Sequence, residues 1–171
     1  MVIANSNMNK NIDILLEEID ELMLHKLELM EEKICGNIQM ETLLKDGYIE
    51  LAKAKYIRGK ENISMLQVPN NEDTVTSLFD LETKMNEHNV PCFDISFKKL
   101  SDPAEGLGDP IKWFGVLVPQ NLRNSQKRFQ DSVNLATKIA NVQEELISVL
   151  SKLKTLYIQK NSLCSSNDIK T

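Results

Sequence analysis

The prolines of this chain are confined to one part of it. All five prolines (Pro69, Pro91, Pro103, Pro110 and Pro119) fall between positions 69 and 119, together with Gly106, Gly108 and Gly115. Two long flanking segments are left nearly free of breakers. A β-sandwich or barrel needs turn residues every ~8–12 positions, and a doubly wound sheet needs glycine-bearing crossovers, so neither suits this distribution. With 171 residues, 42% of them hydrophobic and 5% aromatic, the chain is one domain built mainly from long helices.

The first helical segment is read over residues 11–59, after a flexible N-terminus at 1–10. Leu16, Met23, Met30, Asn37, Leu44 and Leu51 recur at steps of seven. Leu27, Ile34 and Tyr48 flank this line on one side, and Leu15, Leu22, Leu29 and Leu43 on the other. A stripe this wide exceeds a two-stranded seam and implies contact with more than one element. Lys26, Lys33, Asn37 and Glu41 interrupt it; the longer side chains reach solvent along their stems, and Asn37 is a candidate for fixing register. Asp46-Gly47 is a turn signal, yet Leu44 and Leu51 keep step across it, so the helix continues, with a bend.

The second helix is read over residues 119–164, opened by Pro119 and followed by a flexible tail at 165–171. Leu135, Val142, Val149, Leu156 and Leu163 interleave with Ile139, Leu146 and Leu153 in a heptad repeat. Residues 1–60 carry 8 basic and 11 acidic groups, and 119–171 carry 8 and 4. Similar length and opposite charge favour a long antiparallel helical hairpin, a coiled coil, over a parallel homodimer. Homo-oligomerisation is not favoured.

Residues 60–118 form an irregular connector that includes a short helix and a small two-stranded β element. Pro69 to Asp73 reads as linker, and Thr74 to His88 as a short amphipathic helix through Val75, Leu78, Phe79 and Met85. Phe93, Ile95 and Phe97 alternate as in a strand, and Ser101–Pro110 is loop by composition. Trp113-Phe114-Gly115-Val116-Leu117-Val118-Pro119 is the densest apolar patch and reads as a second strand, pairing with the first. The patch has two roles open to it: a plug between the helices, or a face for a partner.

A net charge of −5 argues against nucleic-acid binding and against anionic lipid held through a basic face. Cys35, Cys92 and Cys164 are odd in number and widely spaced, which suits a reducing compartment better than a disulfide framework or zinc site. No secretory signal opens the sequence, and its longest apolar run, Trp113–Val118, is far short of a membrane span. The expectation is a soluble chain facing the cytosol, without direct membrane insertion. His25 and His88 lack companions for catalysis or metal binding, and Gly106-Leu107-Gly108 is followed by Asp109-Pro110 where a dinucleotide loop would open a helix. No enzyme, cofactor or metal is expected.

One pattern is specific. Asp109-Pro110, Trp113 through Pro119, Leu122-Arg123, Gln126 and Phe129, then Leu135-Ala136, Ile139-Ala140 and Gln143, resemble the C-terminal signature of the vacuolar-type ATPase assembly factors of the coiled-coil domain-containing protein 115 family. Gly47-Tyr48, Leu51-Ala52-Lys53-Ala54-Lys55-Tyr56 and Gly59 resemble the end of that family's first helix, while residues 60–108 do not align with its pattern. The resemblance implies a non-enzymatic assembly factor for the membrane-embedded, proton-translocating sector of the vacuolar-type proton ATPase, supporting organelle acidification. It implies a place at the cytosolic face of the endoplasmic reticulum and early secretory membranes, held there by a small two-span membrane assembly partner. Subunits of the ATPase membrane sector are the other implied partners. The family fixes no residue-level site; motif density and side-chain chemistry mark Trp113, Phe114, Val116, Pro119, Arg123 and Phe129 as partner-binding candidates. The heptads alone would equally suit a general coiled-coil tether or a cytoskeletal or trafficking adaptor.

Overall fold

The computed structural model describes the backbone of residues 2–69, 77–87, 89–98 and 109–168, and the side chains of residues 12–163 within those spans. Two helices dominate: α1, Val2–Arg58, and α2, Gln120–Asp168. Their 57 and 49 residues make rods of about 85 and 73 Å at 1.5 Å per residue. Both run past the segments marked by their heptads, because no proline or glycine lies in 2–10 or 164–168 to stop them. They pack antiparallel: Gly36 lies against Ile139, Gly47 against Phe129, and Glu50 bonds to Asn121.

The seam of α2 is the expected one. Val142, Leu146, Val149 and Leu153 are buried, and they cluster with Leu15, Ile19 and Leu29 of α1, with Leu22, Met23, Leu156 and Leu163 packed around them. Each fully buried aliphatic side chain contributes roughly 1.5–3 kcal/mol.

On α1 the seam is rotated from the line read as central. The contact face runs Leu15, Leu22, Leu29, Gly36, Leu43, interleaved with Ile19, Lys26, Lys33, Met40, Gly47 and Ala54. Asn37, the candidate for a buried register device, is exposed, and Met30 of the same line is 39% exposed. Gly36, Gly47 and Ala54 contribute little apolar signal to a sequence pattern, but they let the two backbones approach. A Cβ at Gly36 would lie 2.9 Å from Ile139 Cγ1, and one at Gly47 would lie 3.0 Å from Phe129 Cε1. Gly47 thus sits inside a continuous helix as a contact position, and α1 does not break there.

The β element forms with a different partner from the one expected. Phe79–Met85 is strand β1 and Pro91–Phe97 is strand β2, paired antiparallel with Phe79 opposite Phe97, Leu81 opposite Ile95 and Met85 opposite Pro91. Residues 79–85, read as helical, alternate as Phe79, Leu81, Thr83 and Met85, a strand period that the helix reading through Val75 and Leu78 passed over. Residues 74–76 and 101–108 lie outside those described. The hairpin closes locally: the Asn86 amide donates to the Val90 carbonyl (3.0 Å), the Asn89 amide to the Asn86 carbonyl (2.8 Å), and Asn89 takes a φ of 58°. A five-residue connection costs less closure entropy than pairing across the stretch leading to Trp113. The Asn141 side chain of α2 docks the hairpin, accepting from the Phe93 amide (2.7 Å) and donating to its carbonyl (2.9 Å).

Trp113–Val118 is not a strand. Pro110–Phe114 is a 3₁₀ helix, opened by Asp109, whose carboxylate accepts from the Ile111 amide at 3.1 Å, and closed by Gly115 at φ 110°. A proline in the first turn, an N-terminal Asp cap and a glycine with positive φ specify a short helical turn more strongly than the apolar run specifies a strand.

Candidate functional site

The chain closes on itself at one end of the rod. Gly59, at φ 88°, ends α1 with its amide donating to the Lys55 carbonyl (2.9 Å), and Asn62 Nδ2 donates to the Arg58 carbonyl (2.7 Å). The chain then turns through a short 3₁₀ segment, Met65–Gln67. Ser64 caps it, and the Gln67 side chain accepts from the Ser64 amide at 2.8 Å. Ile63 is thereby driven inward, where it meets Ala54, Ile111 and Leu122 in a second buried cluster. Leu51, Phe114 and Val118 pack around it.

This end is pinned to α2 by polar contacts as well. Asp109 Oδ1 accepts from Gln126 Nε2 at 2.9 Å. Asn121 Nδ2 donates to Glu50 Oε2 and Lys53 Nζ to Glu50 Oε1, both at 2.6 Å. The Lys53 and Asn121 hydrogen bonds, in that order, hold the Glu50 carboxyl below its ordinary range. The Ser125 hydroxyl, itself buried, donates to the Gly47 carbonyl at 2.8 Å.

The Trp113–Pro119 patch divides between its two open roles. Phe114 and Val118 turn inward as a plug, and Trp113 is half-buried. After Gly115, whose Cβ would lie 3.2 Å from Arg58 Nη2, the chain swings outward, leaving Val116 96% and Leu117 80% exposed. Pro119 is half-buried, its carbonyl accepting from the Leu122 amide at the start of α2, and Arg123 is exposed one turn on. Five of the six candidates therefore gather at the closed end. The sixth, Phe129, lies in the helix seam against Gly47, its ring edge-on to Tyr48 at 5.2 Å.

Two features escaped the sequence-based list. Met65 and Leu66, 81% and 90% exposed, stand beside the plug, with no periodicity to flag them. Along the shaft, Leu27, Met30, Ile34 and Ile38 of α1 remain exposed, and Met30 and Ile34 share a groove with Lys26, Lys33, Leu146 and Leu150. The excess width of the apolar stripe was its signal. One rim is held by Lys33 Nζ donating to Gln143 Oε1. Among the described residues no group of three His, Cys, Asp or Glu side chains is placed to hold a metal ion. No helix of the described residues is long and apolar enough to cross a membrane.

Comparison with known proteins meets this geometry at the plug. The Vma22/CCDC115 family model matches residues 60–132, which span the exposed Met65-Leu66 turn, the hairpin, the plug and the start of α2. It includes residues 60–108, which the sequence pattern had left unaligned. Proteins named vacuolar ATPase assembly protein VMA22 are similar over most of their lengths. The zebrafish (Danio rerio) protein is 25% identical, over 81% of this chain and 86% of its own. The mouse (Mus musculus) protein is 26% identical, over 85% and 92%, and the human (Homo sapiens) protein 26%, over 81% and 89%. The resemblance to the assembly-factor family drawn from the Asp109–Phe129 signature is thus shown by both comparisons.

Proposed function

From a chain similar over most of its length to proteins named vacuolar ATPase assembly protein VMA22, we propose a vacuolar-type ATPase assembly factor that works through surfaces and without catalysis. The single observation that carries this reading is the similarity, over 81–85% of the chain, to proteins named vacuolar ATPase assembly protein VMA22. A rod with an unfilled apolar groove is suited to holding another helix: Met30 and Ile34 lie one helical turn apart, and Leu146 and Leu150 face them across the seam. Its occupant is a cytosolic helix of a small two-span membrane partner or of an assembling membrane-sector subunit. Holding it would keep the proton-translocating sector from docking prematurely with the catalytic sector. The site of action is the cytosolic face of the endoplasmic reticulum and early secretory membranes, and the outcome is organelle acidification.

Affinity capture of the full chain from detergent-solubilised membranes tests this reading. Recovery of proton-channel-sector subunits with a two-span membrane protein supports it. Recovery of soluble or filament proteins alone overturns it in favour of a general coiled-coil tether or trafficking adaptor.

A further inference from the structure

Among the described residues, the closed end of the rod carries charge opposite to the whole. Residues 48–68 and 109–124 hold Lys53, Lys55, Arg58, Lys60, Lys112 and Arg123 against Glu50, Glu61 and Asp109, a balance of +3 within a chain of −5. Two of those three carboxylates are already engaged: Glu50 binds Lys53 and Asn121, and Asp109 accepts from Ile111 and Gln126. No ion pair joins Lys55, Arg58, Lys60, Lys112 or Arg123 to a carboxylate among the described residues.

Fully exposed apolar side chains share this end. Val116 and Leu117 follow Gly115, which lies against Arg58; Met65 and Leu66 follow Ile63, which packs on Ile111. Both apolar pairs therefore follow residues held at the plug, and Arg58 lies beside the turn that leads to Val116 and Leu117. Tyr56, 92% exposed, and Ile57 add to the apolar surface on the last turns of α1.

We propose that the closed end of the helical hairpin seats on an anionic phospholipid bilayer, with Val116, Leu117, Met65 and Leu66 entering the headgroup layer and Arg58, Lys60 and Lys112 meeting lipid phosphates. An apolar tip ringed by cations has the pattern of interfacial membrane contact, in which shallow apolar burial and attraction to anionic headgroups act together. Exposure decides between a bilayer and a protein helix. A helix is received by a groove with half-buried walls, like the one on the shaft, whereas these four side chains stand 80–96% free and a bilayer accepts them without a matching cleft. This inference rests on the placement of the tip and not on the assembly reading.

Trp113, the only tryptophan, lies three residues from Val116 and reports on the contact directly. The full chain is mixed with vesicles of phosphatidylcholine alone and with vesicles doped with phosphatidylserine, following sedimentation and Trp113 emission. Binding to the doped vesicles, with a blue-shifted emission that fades as salt is raised, is the expected result. Val116→Asp with Leu117→Asp should weaken that partition about tenfold or more. Met65→Ser with Leu66→Ser, on the other side of the plug, should weaken it in the same direction. Far-UV circular dichroism checks that both variants keep the helices. Equal partition to neutral and anionic vesicles, or full binding by both variants, would overturn the proposal. Absence from vesicles combined with Val116- and Leu117-dependent binding of an acidic subunit would also overturn it, and would give the tip to a protein.

Discussion

The ring of Phe129 fills the space that a side chain at Gly47 would need, with Cε1, Cζ and Cδ1 all within 3.3 Å of a Cβ placed there. Four residues before Phe129, the Ser125 hydroxyl donates to the Gly47 carbonyl. Steric and polar contacts therefore converge on one glycine inside a 57-residue helix, 11 residues before its end, and together they set the register of the hairpin.

Gly47→Leu should destabilise the hairpin by about 1–3 kcal/mol despite the better helix propensity of leucine, because overpacking at a rigid ring outweighs a gain of about 1 kcal/mol. Phe129→Leu in the same chain should recover part of the loss. Chemical unfolding of the two single variants and the double variant measures the coupling, and strict additivity would refute the contact.

Ser125→Ala removes one hydrogen bond at a buried site and should cost about 1 kcal/mol, read as a shift in the urea midpoint. Ser125→Val should cost more, since it also forces volume against the Gly47 backbone.

Asn141→Leu should release the β hairpin without unfolding the rod. Hydrogen exchange at the Phe93 amide is the sensitive readout, because that amide donates to the Asn141 side chain. Faster exchange there, with the α1–α2 seam still protected, is the expected outcome.

Glu50 makes a pH-dependent contribution of known sign. Its folded-state pKa is lowered, first by the Lys53 hydrogen bond and then by that of Asn121, so its stabilisation is present above the ordinary glutamate range and is lost as pH falls through that range and below. Thermal melts across the acidic limb should show a shallower dependence for Glu50→Gln than for the parent chain. An unchanged slope would count against a paired carboxylate.

Met30→Glu with Ile34→Glu places two charges in the shaft groove, at positions 39% and 56% exposed in the free chain. Helicity should be unaffected, while capture of membrane-sector subunits should be lost. Capture at parental levels would move the binding surface off the groove.

The class of fold was legible because helix breakers are hard to disguise: confining all five prolines to 69–119 leaves two segments whose heptad spacing reads as long helices. The α2 seam was legible too, since Val142, Leu146, Val149 and Leu153 are large, apolar and in register. The α1 seam was misplaced, because Gly36, Gly47 and Ala54 mark close approach by what they lack, and a hydrophobic pattern counts only what is present. Strand pairing was likewise undecided by composition: the Trp113 run is apolar enough for β structure, but Asp109, Pro110 and Gly115 bend it into a 3₁₀ turn. Which residues of that run are plug and which are surface depended on the backbone turning at Gly115, where Phe114 packs on the cluster of Ala54, Ile63, Ile111 and Leu122 and Val116 faces solvent. Sequence alone determined the helical rod and its resemblance to the assembly-factor family, because both are local patterns along the chain. Only the tertiary structure decided the register, the open groove and the basic apolar tip, since each arises from residues far apart in sequence whose proximity depends on how the two helices pack.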